Sequence, residues 1–150
     1  MNPSNSLRAS DKRSIINVFC DGGARGNPGP AAWGFVIKKD GVTVHQKGGY
    51  IGIATNNVAE YTAVVEALTY LEKQFKGQEL RFFVDSQLVA SQLSGIFKVK
   101  NPTIREMVLN IRILENSFGK ITYTQIPRAQ NTEADRQVNI ALDKALTSQF

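Results

Sequence analysis

The stretch "LRFFVD", residues 80–85, constrains the fold more than any other part of the chain. Four of its six residues are apolar and they do not alternate with polar ones. A strand without a polar face is expected to be covered on both sides, as in sheets flanked by helices. Its surroundings agree. Before it, "NNVAEYTAVVEALTYLEKQF" (56–75) places Val64, Ala67, Leu68 and Leu71 along one face of a long helix. After it, "SQLVASQL" reads as a short helix, and the Asn101-Pro102 step starts another that runs to about Asn116. "ITYTQIP" (121–127) is a last strand and "NTEADRQVNIALDKAL" (131–146) a last helix.

Upstream, "IINVFCD" (15–21) reads as a strand. "AAWGFVIKK" and "VTVHQKGGY", joined by Asp40-Gly41, form a hairpin paired to it. Three antiparallel strands followed by alternating helices and strands predict an α/β fold: a five-stranded mixed sheet with helices packed on its faces.

The 150 residues suit one domain, with 1–14 as a polar, flexible tail and 15–150 as the folded unit. That tail lacks the apolar core of a signal peptide, and no apolar run approaches a membrane span. The single cysteine, Cys20, rules out an internal disulfide and suits a reducing cytoplasm. Its place in a strand favours a buried thiol over a nucleophile. A net charge of +5 and a pI near 9.5 allow a polyanionic partner without requiring one.

"FCDGGARGNPGPAAWGF" (19–35) is dense in glycine, like a phosphate-binding loop. A Walker loop needs Lys and then Ser or Thr after its last Gly, whereas Pro30 and Ala31 follow Gly29. A dinucleotide fingerprint opens a helix, whereas a strand-like run follows here. Both nucleotide readings fail.

Four acids stand at the ends of elements. Asp21 and Asp85 each end a strand, while Glu60 and Asp135 lie one turn into helices. Each also suits a structural role. Asn57-x-x-Glu60 and Thr132-x-x-Asp135 resemble capping boxes, Asp85 suits a helix cap, and Asp21 suits an Asp-Gly turn. Register argues for more than capping. Glu60 is in line with the sheet-facing stripe of its helix, and Asp135 borders the stripe of Val138, Leu142 and Ala145. Carboxylates gathered at one sheet edge repel unless cations neutralise them, and oxygen-only ligands select hard ions such as Mg²⁺ or Mn²⁺.

With these motifs in order, the chain resembles ribonuclease HI, the type 1 ribonuclease H family, over about residues 15–147. "DGGARGNPGPAAWGFVI", "TNNVAEYTAVVEAL", "FVDSQLV" and "NTEADRQVNIALD" carry the likeness. The resemblance implies the ribonuclease H-like fold and a metal-dependent endonuclease. Such an enzyme cuts the RNA strand of an RNA–DNA hybrid and leaves 3′-hydroxyl and 5′-phosphate ends. It further implies two Mg²⁺ ions, with Mn²⁺ able to substitute. Asp21 would bridge them, Glu60 and Asp85 would serve the leaving-group side, and Asp135 the attacking water.

Gly22, Gly23 and Gly26 would bring the backbone to a minor groove lined with 2′-hydroxyls, with Asn27, Asn56, Asn57 and Gln87 adding contacts. Many members place a His in the loop before the last acid. Here that loop reads "IPRAQNTEAD", with Arg128 nearest in position. The basic helical handle of some bacterial members is missing, leaving Lys98 and Lys100 as a small basic turn. Without the handle, double-stranded RNA stays open as a second substrate. A monomer is expected, with Trp33 in the core and His45 an ordinary exposed strand residue.

Overall fold

The structure, a computed structural model, describes residues 15–148. The expected tail, 1–14, lies outside the described residues, as do the last two. Five strands are observed: β1 (Ile15–Ala24), β2 (Gly29–Lys39), β3 (Val42–Ala54), β4 (Glu79–Val84) and β5 (Ile121–Gln125). The helices are α1 (Asn56–Gln74), α2 (Gln87–Leu93), α3 (Pro102–Glu115) and α4 (Thr132–Thr147). The strands form one sheet in the order β3-β2-β1-β4-β5. β1, β2 and β3 pair antiparallel, while β1–β4 and β4–β5 are parallel, so the sheet is mixed as expected.

Local chemistry sets the boundaries. Asp40 (φ 53°) and Gly41 (φ 76°) both take the left-handed region, as a tight hairpin turn requires. Thr55 caps α1 by accepting from Val58 N–H (3.2 Å), and Ser86 caps α2 by accepting from Val89 N–H (3.2 Å). Asn101 caps α3 through Ile104 N–H (3.1 Å), with Pro102 in its first turn.

The main core lies between one sheet face and α1, α2 and α3. It includes the fully buried Tyr61, Phe35, Phe82, Leu68 and Leu71. Trp33 belongs to it, 7% exposed and stacked beside Phe35, as expected. Cys20 is buried there too, its thiol 3.8 Å from the Ala63 carbonyl and pushed up in pKa by burial. α4 covers the opposite face over β1, β2 and β3, where Val138 and Leu142 meet Ala32.

Three expectations need correction. The even cover predicted for residues 80–85 is not met, since Arg81 is exposed and Phe83 half-buried. α4 packs mainly on β1, β2 and β3, and Phe83 is shielded by stacking on Phe19, with ring centroids 5.0 Å apart. His45 is half-buried and lies flat on Tyr70, with centroids 4.0 Å apart. β1 runs three residues past Asp21, so the glycine-rich stretch is strand, turn and strand, and the open turn is only residues 25–28.

That extension explains Gly22, which is buried in β1. A Cβ there would stand 2.2 Å from the Ala59 carbonyl carbon and oxygen, so α1 crosses the sheet in contact with the strand backbone. Gly34 does the same for α4, since its Cβ would lie 2.7 Å from the Ala134 carbonyl oxygen. Gly22→Ala is therefore expected to cost on the order of 1–3 kcal/mol, because backbone, not a flexible side chain, must move. A melting curve checks this, and a wild-type midpoint would refute the close approach.

Candidate active site

The sheet creates a gap at one end. β1 and β4 pair in parallel up to Phe19 and Phe83, after which their ladder stops. Carrying that register two residues further sets Asp21 opposite Asp85. Strand alternation then puts both on the face of Phe19 and Phe83, and parallel neighbours stand ~4.8 Å apart. A crevice beyond the carboxyl ends of parallel strands is the usual place for a ligand in such sheets.

Helices bring the other two acids. Glu60 comes from the first turns of α1, pressed against β1 at Gly22. Asp135 comes from the first turn of α4, docked at Gly34, the antiparallel partner of Asp21. Asp21, Glu60, Asp135, Gly23 and Arg128 line one cleft of about 240 Å³. A larger groove of about 640 Å³ adjoins it, shares Asn56 and Glu60, and continues past Asn27, Asn57 and Asn101.

The electrostatics show that the acids are neighbours. The Asp21 carboxyl is pushed up to about 8, first by burial, then by the charges of Asp85 and Asp135. Glu60 is pushed up to about 7, mainly by burial. A hydrogen bond from the Ser86 hydroxyl and the Arg128 guanidinium oppose that rise, while Asp85 adds to it. Among the described residues, no three acidic, histidine or cysteine side chains form a ready-made metal cage. Bare carboxylates hold one another off, and an all-oxygen donor set with so high a carboxyl pKa suits a hard divalent cation.

The structural alternatives for the acids are not adopted. The side-chain caps of α1 and α2 are Thr55 and Ser86, not Asn57 or Asp85. Asp21 lies inside a strand, and α4 starts at Asn131 without a side-chain cap.

The other expected site residues divide into two groups. Asn27 Oδ1 accepts from Asn56 N–H (3.0 Å), and Asn56 Oδ1 accepts from Ala24 N–H (2.8 Å). These bonds clamp the β1–β2 turn to the start of α1 through the amide oxygens. Asn57, Gln87 and Arg128 are exposed, Gly26 sits in the turn at φ 93°, and the space beside Gly23 is open. Gly22 packs against α1 on the side a Cβ would occupy, and it also lines the 240 Å³ cleft beside Asp21.

Sequence reasoning missed three residues. Arg25 bridges from the turn to α4, its Nη2 donating to Asp143 Oδ1 (2.7 Å) and Asn139 Oδ1 (3.2 Å). Ser86 links the α2 cap to Glu60. Asn131, 1% exposed, donates to Asp85 Oδ2 (3.1 Å) and to the Cys20 carbonyl (2.9 Å). An amide before a helical pattern reads as a cap in any sequence, so only the fold reveals that it turns inward.

A family profile described as "Reverse transcriptase-like" matches residues 19–141. The chain is 43% identical over 135 residues to the bifunctional protein Rv2228c of Mycobacterium tuberculosis, covering 89% of this chain and 37% of that protein. The chain thus spans little more than a third of that relative. It is 40% identical over 136 residues to ribonuclease HI of Halobacterium salinarum, covering 90% of this chain and 68% of the relative. Among solved structures, LC11-RNase H1 in complex with an RNA/DNA hybrid matches with a TM-score of 0.84 and 42% identity, over 87% of this chain and 99% of that one.

Proposed function

We propose, from the premise that this chain belongs to the type 1 ribonuclease H family, that it is an endonuclease hydrolysing the RNA strand of RNA–DNA hybrids. The observation that carries the reading is that Asp21 stands part-buried among Asp85 and Asp135, its carboxyl pushed up to about 8 by burial first and by their charges next. A helix–sheet scaffold gains nothing from such repulsion, whereas a cation site does. The solved relative that binds a hybrid supports the substrate class.

In this reading Asp21, Glu60, Asp85 and Asp135 hold two divalent cations, Mg²⁺ or Mn²⁺. When bound, such ions stabilise the attacking and departing oxygens of an in-line displacement, which leaves 3′-hydroxyl and 5′-phosphate ends. The chain's own groups do the rest. The open backbone at Gly23 lets the ribose edge approach Asp21. The amides of Asn27, Asn56 and Asn57, with Gln87 across the gap, contact the two strands. Arg128 offers a guanidinium to a phosphate, and with a pKa above ~12 it holds charge without moving protons. The 94–101 connection between α2 and α3 carries no helix, so Lys98 and Lys100 supply its only positive charge. No described helix is long and apolar enough to cross a membrane. A monomer in a reducing cytoplasm, with Cys20 as a buried thiol, completes the proposal.

Incubating the protein with labelled hybrid, duplex RNA and duplex DNA, in Mg²⁺, Mn²⁺ or EDTA, tests it. The RNA strand of the hybrid is expected to be cut internally, and only with a divalent cation. Cleavage in EDTA, or an uncut hybrid in both metals, would overturn the reading. The duplex-RNA arm decides whether the range is broader.

A further inference from the structure

Asn131 is almost fully buried at 1% exposure, and its amide is divided between two distant parts of the chain. One Nδ2 group donates to the Cys20 carbonyl at 2.9 Å and to Asp85 Oδ2 at 3.1 Å. The backbone of the same residue donates to the Arg128 carbonyl (3.0 Å) and accepts from Asp135 N–H (3.1 Å). Its Oδ1 has no hydrogen-bond partner among the described residues. One residue therefore joins Asp85 and the residue beside Asp21, through its side chain, to the start of the helix that presents Asp135, through its backbone.

A helix cap would explain none of this. The Asn131 side chain makes no bond to the first turn of α4, so it gives up the ordinary use of an amide at a helix start. Burying an amide with one oxygen unpartnered also costs stability. Both donor hydrogens go instead to the gap where β1 and β4 part. Two bonds from one rigid planar group fix how far Asp85 stands from the β1 backbone. They also occupy one carboxylate oxygen and leave the second for a cation.

We infer that Asn131 is a positioning residue for the cation site, acting through Asp85 and not on the substrate. This rests on the metal-dependent reading proposed above. Partners that orient a ligating carboxylate typically change metal affinity by about 10–100-fold when removed.

The test measures Mn²⁺ binding to the free protein by electron paramagnetic resonance, with melting curves in EDTA beside it. The chains compared are wild type, Asn131→Ala, Asn131→Ser and Asp85→Asn. Ser can cap α4 and keep the fold, but it is too short to reach both acceptors. Asn131→Ser is expected to bind Mn²⁺ about 10–100-fold more weakly. Excess Mn²⁺ should recover its cleavage, with KM for the hybrid unchanged. Asp85→Asn, which loses a ligand outright, is expected to bind Mn²⁺ more weakly than Asn131→Ser. Wild-type Mn²⁺ affinity in a folded Asn131→Ser protein would overturn the inference, whatever its melting point. If Asn131→Ala does not fold, Asn131→Ser decides alone. No Mn²⁺ binding by wild type would instead overturn the metal reading, and this inference with it.

Discussion

Asp21→Asn and Asp85→Asn are each expected to abolish hybrid cleavage while leaving the metal-free fold intact and more stable. Asp85→Asn removes a charge from a place where charges repel. Asp21→Asn removes a carboxyl that must take up a proton on folding below about pH 8. In both an amide keeps the shape. Losing one oxygen donor that carries full charge removes the cation site, so several orders of magnitude in rate should disappear. The stability effect has a pH signature. The Asp21 carboxyl stands at about 8 in the folded chain and near 3.9 in an unfolded one. Between those values the folded state holds a proton that the unfolded state lacks. Its stabilising contribution is complete below about pH 3.9 and is lost as pH rises through about 8. Glu60, pushed up to about 7, acts in the same direction. Melting midpoints in EDTA should therefore fall from acid to mildly alkaline pH, and fall less steeply in Asp21→Asn. Activity in Asp21→Asn, or a wild-type pH slope in that variant, would overturn the proposed site.

A continuous hybrid should be cut about tenfold to a thousandfold better than a DNA duplex carrying a single ribonucleotide. The proposed reading surface is spread over Gly23 on β1, Asn27 in the turn, Asn56 and Asn57 at the start of α1, and Gln87 on α2. No one of these encloses a nucleotide, and two of the amides have already committed their oxygens to holding the turn against α1. Recognition is therefore additive over successive 2′-hydroxyls. Each neutral hydrogen bond is worth roughly 0.5–1.5 kcal/mol net, so losing two or three costs about 1–4 kcal/mol. Flanking DNA would also pull the duplex from the groove shape the surface fits. Cleavage of duplexes with one, two, four and many ribonucleotides gives the measurement. Activity rising steeply with run length is the expected result, and equal cutting at a lone ribonucleotide would exclude a distributed reader.

Element order was legible in the chain because its signals are short-range. Helical spacing from Val64 to Leu71, the Asp40-Gly41 turn and the Asn101-Pro102 step all act within a few residues of themselves. The same short range explains what was misread. A nearly apolar 80–85 looks doubly covered, yet whether a helix lies over Phe83 depends on where α4 docks. α4 docks at Gly34 and Gly48, far away in sequence. Glycines near Asp21 look like a loop, but pairing with residues 31–34 holds Gly22 and Gly23 in a strand.

The candidate site divides the same way. Sequence by itself determined which carboxylates are available and that helical register points Glu60 toward the sheet. That follows from a period of 3.6 residues, which needs no partner. Only the tertiary structure decided that Asp21 and Asp85 share a face. Their relation is set by a parallel register between β1 and β4, which are separated in the chain by β2, β3 and α1. It alone decided that Gly22 lets α1 approach the strand backbone. It alone turned Asn131 inward, to a carbonyl 111 residues away and a carboxylate 46 residues away. Hydrogen bonds of that span leave no trace in local composition, because the donor is chosen by where two strands part and not by its neighbours in the chain.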